Sequence, residues 1–450
     1  MPDHPVASLP LAHDAMADVA RHSLDHALKR GASNAEVEVS AAVGQAITVR
    51  RGEVETVEYN RDKGMGITVY FGKRRGNAST SDLSRDAVER TVEAACAIAR
   101  HTAEDDAAGL PDADRLYVGE APDLDLFHPW GLTVEEAIEI ARRTEAAALA
   151  VDKRITNSEG ATVSAYDTDF VLANTRGFLA GFPNSKASLG CSVVAEDARG
   201  MQRDYWYTTH RDPNRLEGAE SVGRTAGERA VRRLGGRRLA TMEVPVLFDP
   251  NMAPGLIGHY VSAASGSSLY RKSSFLLDRL GTQVFSPVVE IFEDPWIPGE
   301  LASGYYDGEG VGTERRTVVE AGVLKGWYLS SHSARKLGLA TTGNAGGNHN
   351  LIVKPGESGF DALLKKMGRG LLVTELMGQG VNSVTGDYSR GASGFWVEGG
   401  EIRHPVEEVT IAGNLTDMFR GIVAVGSDTV VRGSKHCGSI LLDRMTIAGD

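Results

Sequence analysis

The chain has 450 residues, with 48 basic and 60 acidic side chains, a formal charge of −12, 42% hydrophobic and 24% charged residues. This is ordinary globular usage, long enough for two or three domains and a sizeable core, and it excludes disorder of the bulk of the chain. The negative balance argues against sequence-independent nucleic-acid binding, which needs a basic surface. No stretch approaches the roughly 20 uncharged apolar residues of a membrane-spanning helix. Met1 to Pro10 carries Asp3 and three prolines without an apolar segment, so no secretory signal is predicted. Cys96, Cys191 and Cys437 are too few and too scattered for a disulfide framework, and a reducing cytoplasm is expected.

Met16, Val19, Leu24, Ala27 and Leu28 share one helical face, which Gly31 terminates. Residues 35–59 alternate as strands with a turn at Arg51-Gly52, and Met65 to Phe71 reads as a further strand closed by Gly72. The basic triplet Lys73-Arg74-Arg75 falls at that corner and reads as a solvated hairpin turn. An amphipathic helix near 84–102 turns Leu83, Val88, Val92, Cys96 and Ala99 inward, so Cys96 is a small core residue. The polar stretch Glu104 to Asp123 reads as a linker.

Thr133 and Glu136 form a capping box that opens a helix to about Ala150. Strands over 161–179, 187–195 and 202–209 make an antiparallel meander, and Glu217 to Leu234 is helical. From Val244 the texture changes to short strands and glycine corners. Residues 1–300 hold 25 of the 52 glycines, and residues 301–450 hold 27. The expected fold is α+β. Two helix-plus-antiparallel-sheet units (1–112 and 113–238) precede a glycine-rich β-barrel or sandwich-like domain (239–450).

No phosphate loop, dinucleotide loop, serine-hydrolase elbow, helical metalloprotease motif or Cys-x-x-Cys is present. His436 and Cys437 are adjacent, and neighbours on a strand point to opposite faces, which disfavours a dyad. Read from its residues alone, the chain offers no self-contained catalytic constellation. Met377 to Trp396 holds five glycines in twenty residues. It reads either as tight barrel corners or as a loop offering free donors to an extended ligand.

A family then becomes visible. Pro254-Gly-Leu-Ile-Gly-His-Tyr-Val261, Tyr270-Arg-Lys-Ser-Ser-Phe275, Gly312-Thr-Glu-Arg-Arg316, Thr374-Glu-Leu-Met-Gly-Gln-Gly380, Thr385-Gly-Asp-Tyr-Ser-Arg-Gly391, Gly394-Phe-Trp-Val-Glu398, Ile411-Ala-Gly-Asn-Leu415 and Cys437-Gly-Ser439 resemble the PmbA/TldD family, once called modulators of DNA gyrase. Gly64-Met-Gly-Ile-Thr-Val69 carries the resemblance into the N-terminal part. It implies two subunit types. The TldD type carries a His-Glu-Ala-x-Gly-His metal motif and a distant Cys, and is a zinc-dependent peptidase. The PmbA type, also called TldE, pairs with it and lacks the motif.

This sequence matches the second type. With Gly258-His259 set on the end of the motif, its first His falls on Pro254 and its Glu on Gly255. His259 and Cys437 are then at most vestigial ligands, and no catalytic or metal role is assigned to the chain. The resemblance implies a cytoplasmic, non-catalytic subunit of a metalloprotease heterodimer. Its TldD-type partner supplies zinc, and extended, unfolded peptides such as leader peptides or antitoxins are the substrates. His259, Thr385, Asp387, Tyr388, Arg390 and Trp396 are the candidates for lining the chamber. The alternatives are a metal-free peptide-binding or scaffold homodimer and a gyrase-associated regulator.

Overall fold

A computed structural model describes residues 9–119 and 122–449. In the N-terminal half, α1 (His13–Lys29), β1 (Asn34–Arg50), β2 (Glu53–Phe71), β3 (Arg74–Thr80) and α2 (Arg85–His101) form a first unit. A second follows: α3 (Val134–Leu149), β4 (Ile155–Asn174), the two-residue β5 (Leu179–Ala180), β6 (Asn184–Asp197), β7 (Gly200–His210) and α4 (Ala219–Arg232). The helix–strands–helix order is the one expected, but the strands do not form separate sheets. β1 pairs antiparallel with β4 from Glu36↔Asn174 to Val49↔Ala161, giving one sheet of order β3-β2-β1-β4-β6-β7, with β5 beside β4. Periodicity within a strand reports which face is buried and says nothing about the neighbour on its edge.

The segments read separately as 35–59 and 65–71 are one long hairpin. Arg51 and Gly52 both have positive φ (54° and 78°), the geometry of a tight two-residue hairpin turn. α1 and α2 cover one part of the sheet with Met16, Ala20, Val92 and Cys96 against Val37, Val39 and Val171. α3 and α4 cover another, placing Ala141, Val222 and Ala226 on Ile47, Val163 and Val193. Thr133 and Glu136 make both reciprocal bonds of the capping box. Gly223 lets α3 and α4 touch, because a Cβ there would stand 1.9 Å from the Thr144 carbonyl oxygen.

The C-terminal half begins with β8 (Met242–Phe248), α5 (Ala253–Ala263), α6 (Gly266–Tyr270), β9 (Ile291–Asp294), β10 (Arg316–Glu320), β11 (Val323–Leu324), α7 (Ser331–Leu337) and β12 (Asn350–Val353). It continues with α8 (Phe360–Met367), β13 (Arg369–Met377), β14 (Asp387–Glu398), β15 (Glu401–Asn414), α9 (Leu415–Arg420), β16 (Ile422–Val425), β17 (Lys435–His436) and β18 (Ile440–Ala448). The ring β15-β14-β13-β8-β18 closes through β15–β18 pairing into a five-stranded barrel, with β16 on the outer edge of β18. Gly399 and Gly400, both at positive φ, make the tight β14–β15 turn. Val246, Phe248, Leu371, Val373, Ile411 and Leu442 share the core with α5 residues Leu256, Ile257 and Tyr260. A smaller sheet, β11-β10-β9-β12-β17, lies beside the barrel.

The stretch 104–123, of which residues 120 and 121 lie outside the described residues, is more than a linker. Leu110 is 1% exposed. Arg335 donates to the Gly109 carbonyl (2.9 Å), Arg115 donates to the Thr341 carbonyl (3.0 Å), and His332 Nε2 meets Asp105 (2.8 Å). Its polar composition is used by backbone carbonyls and carboxylates that bind the C-terminal half. Further along, buried Arg211 donates to the Glu300 and Leu301 carbonyls and ties β7 to the same half.

Candidate functional site

The sequence points first to α5. Asp249, just after β8, accepts the Asn251 and Met252 amides (3.0 and 2.9 Å) and holds the turn that leads into the helix, with Pro254 in its first turn. Burial pushes the Asp249 carboxyl above the usual range, and Arg229, 4.0 Å away, opposes this. One face of α5 fills the barrel core with Leu256, Ile257, Tyr260 and Ala263, all 1% exposed or less. Pro254, Gly255, Gly258 and His259 lie outside that buried set.

The structure divides the six candidate residues three ways. His259 and Tyr388 meet edge to face with ring centroids 5.8 Å apart. Burial, and then the Arg390 guanidinium, lower the His259 pKa, so its imidazole is neutral at pH 7. Burial pushes the Tyr388 phenol up to about 12. The buried Arg390 Nε has no hydrogen-bond partner among the described residues.

Thr385 and Asp387 are exposed and satisfy each other. The Thr385 hydroxyl donates to Asp387 (2.6 Å), and Asn414 Nδ2 donates to Asp387 (3.2 Å) and to the Thr385 carbonyl (3.0 Å). With Gly386 at φ 83°, this is a tight corner. Trp396, far along β14, is 7% exposed, packs in the barrel core and receives Arg369 over its ring at 5.3 Å.

Cys437 is fully buried. Its Sγ donates to the Gly438 carbonyl (3.2 Å), and burial holds the thiol far above its ordinary pKa. His436 Nε2 lies 3.6 Å from Glu300. Among the described residues, no group of three or more His, Cys, Asp and Glu side chains is placed to hold a metal. Pro254 and Gly255 carry no ligating atom.

Tertiary structure adds a cleft of about 290 Å³ that the sequence did not point to. Pro254 and Gly255 of α5 line it, with Trp206 and Tyr207 of β7, Arg432 and Lys435. The Lys435 stem runs over α5, its Cε 3.8 Å from the position a Gly258 Cβ would take. The Arg432 guanidinium stacks on Trp206 (4.0 Å) and Tyr207 (4.3 Å) and donates to Asn251 Oδ1 (2.7 Å). Sequence came near through His436-Cys437, the residues after Lys435. Nothing local connects 432–435 with 206 or 254.

Known proteins locate the chain. Residues 35–99 match PmbA/TldA metallopeptidase domain 1, residues 127–234 the central domain and residues 241–449 the C-terminal domain. The chain is 51% identical to Metalloprotease PmbA of Escherichia coli O157:H7 over 415 residues, 92% of each protein. The crystal structure of a candidate modulator of DNA gyrase from Bacteroides thetaiotaomicron superposes with a TM-score of 0.93 at 27% identity, covering 98% of this chain and all of that one. TldE from Thermococcus kodakarensis shares the fold, with a TM-score of 0.83 at 20% identity over 96% of this chain and 100% of that one. With all three family domains matched in order and half the residues shared with a curated relative, the chain belongs to the PmbA/TldD metallopeptidase family.

Proposed function

We propose that this chain is the substrate-holding, non-catalytic subunit of a two-chain zinc metalloprotease of the cytoplasm. Its TldD-type partner supplies the metal and the general base. The observation that carries the reading is the cleft beside α5. A hydrolytic zinc site keeps three protein ligands and an activated water. Here Pro254 and Gly255 stand where the motif's first His and its Glu would be, and a lysine stem lies over that face. A cation and two residues without ligating atoms are a donor set unsuited to zinc. His259 packs on Tyr388 near Arg390, and Cys437 is sealed in the core, so neither residue is presented toward the cleft as a ligand.

Extended, unfolded peptides are the substrate class this reading supports, leader peptides and antitoxins among them. The aromatic side chains Tyr205, Trp206 and Tyr207 in the cleft lining suit an unfolded chain better than a folded surface. The test is a peptidase assay on this chain, on a TldD-type partner and on the mixture, with metal analysis of each. Zinc-dependent cleavage is expected from the mixture, and it is lost when the Glu of the partner's motif is replaced by Gln. Stoichiometric zinc and full cleavage by this chain alone would overturn the reading.

A further inference from the structure

The cleft beside α5 is charged in a way that its neighbours do not balance. Three cations line it, Arg229, Arg432 and Lys435, and no Asp or Glu does. Two of the three are compensated from behind. Arg229 Nε donates to Asp204 (3.1 Å), and Arg432 Nη2 has Glu217 at 3.9 Å. Lys435 differs: its ammonium has only the Ser434 hydroxyl, at 3.5 Å, and no carboxylate of the described residues pairs with it. Burial holds its pKa below the usual lysine range, the signature of a cation that has lost water without gaining a counter-ion.

We propose that the Lys435 ammonium is the anchor of a carboxylate subsite, which takes one carboxylate of an extended peptide. A single uncompensated positive charge matches a single negative one, whereas a phosphate dianion would leave charge over. The volume, near 290 Å³, lies at the lower end of the range for small-ligand sites of roughly 300–1,000 Å³. It has room for about one residue with its carboxylate. Trp206 is held rigidly in the lining, with Arg432 stacked on its ring (4.0 Å) and its indole N–H on Glu217 (3.1 Å). Pro254 and Gly255 present no side-chain charge or hydrogen-bonding group on the opposite wall.

Two peptide groups share this chemistry, a chain-terminal carboxylate and an Asp or Glu side chain. The inference rests on the peptide-holding reading above, but it is tested by binding to this chain alone, where no cleavage is involved. Fluorescence polarisation would compare four labelled alanine-rich hexapeptides: one with a free carboxyl terminus, its C-terminal amide, an amide with one internal glutamate, and the same amide with glutamine. We expect at least one carboxylate peptide to bind about tenfold or more tightly than its neutral counterpart, as for a charge-assisted hydrogen bond. Lys435→Gln is expected to erase that preference.

Preference confined to the first pair assigns the group to the chain terminus, and preference confined to the second assigns it to a side chain. Either supports the subsite. Equal affinity within both pairs, no measurable binding by the wild-type chain, or a preference retained by Lys435→Gln overturns it. The ligand-side comparison stands even if a variant folds poorly. If binding fails while the two-subunit mixture still cleaves peptides, the subsite falls and the subunit reading survives.

Discussion

The N-terminal sheet leaves β2 uncovered from Glu53 to Lys63, with Val54, Val57 and Tyr59 between 40% and 53% exposed. The C-terminal barrel closes β15 onto β18, so each of its five strands has a neighbour on both sides. Closure removes free edges and places Phe248 and Tyr260, both 0% exposed, at the centre of a packed interior. α5 is seated on that interior, so the cleft beside it has a rigid floor. The comparison teaches that the half richer in glycine is not the looser one. Its glycines serve corners and close approaches: at Gly394 a Cβ would stand 1.8 Å from the Leu372 carbonyl oxygen.

The contrast can be broken by mutation. Phe248 pairs across to Val373 and to Ile440 and is fully buried, so Phe248→Ala should cost about 3–5 kcal/mol in urea unfolding. Its counterpart on the open edge, Val57→Ala, should stay within about 0.5 kcal/mol. Comparable losses at the two positions would refute the division into a closed, tightly packed barrel and an uncovered sheet edge.

The contact between the halves is sharpened by pH. Glu36 of β1 accepts from the Tyr70 hydroxyl (2.9 Å). Burial first, with help from the charges of Glu309 and Asp307, raises its pKa to about 7. A carboxyl raised in the folded state binds its proton more tightly there. Its contribution is therefore full below the unfolded value of 4.5 and is lost as pH rises to about 7. Glu36→Gln should thus gain about 1–3 kcal/mol over wild type at pH 8, and the gain should vanish near pH 4. A pH-independent difference in unfolding free energy would show that Glu36 ionises normally in the fold.

A smaller loss than at Phe248 is expected for the helix cap in the sheet half. Removing the cap with Thr133→Ala should cost about 1 kcal/mol, read as a shift in the thermal midpoint. A loss as large as that of Phe248→Ala would mean that α3 carries more of the fold than its packing suggests.

Features carried by neighbours in sequence were legible. The Thr133–Glu136 box, the Arg51-Gly52 turn and the inward Cys96 need only propensity and periodicity over a few residues. The candidate site was legible in part. His259 and Tyr388 do meet, though they lie over a hundred residues apart, whereas Trp396 proved to be core and Thr385 with Asp387 a self-satisfied corner. A polar glycine-rich run looks the same in sequence whether its donors are free or used by its own turns.

The α+β class, the helix–strand order, the family and the absence of ligating side chains at 254 and 255 can all be read without the fold. Each of these is written in residue identity or short-range pattern. It took the folded chain to show that two sheet units fuse through β1 and β4, that Leu110 within 104–119 is buried, and that Lys435 lies over α5 in a cleft lined also by Trp206 and Arg432. These depend on pairings between segments tens to hundreds of residues apart. Burial and charge balance at such a pairing are properties of the assembled neighbours, and no single segment carries them.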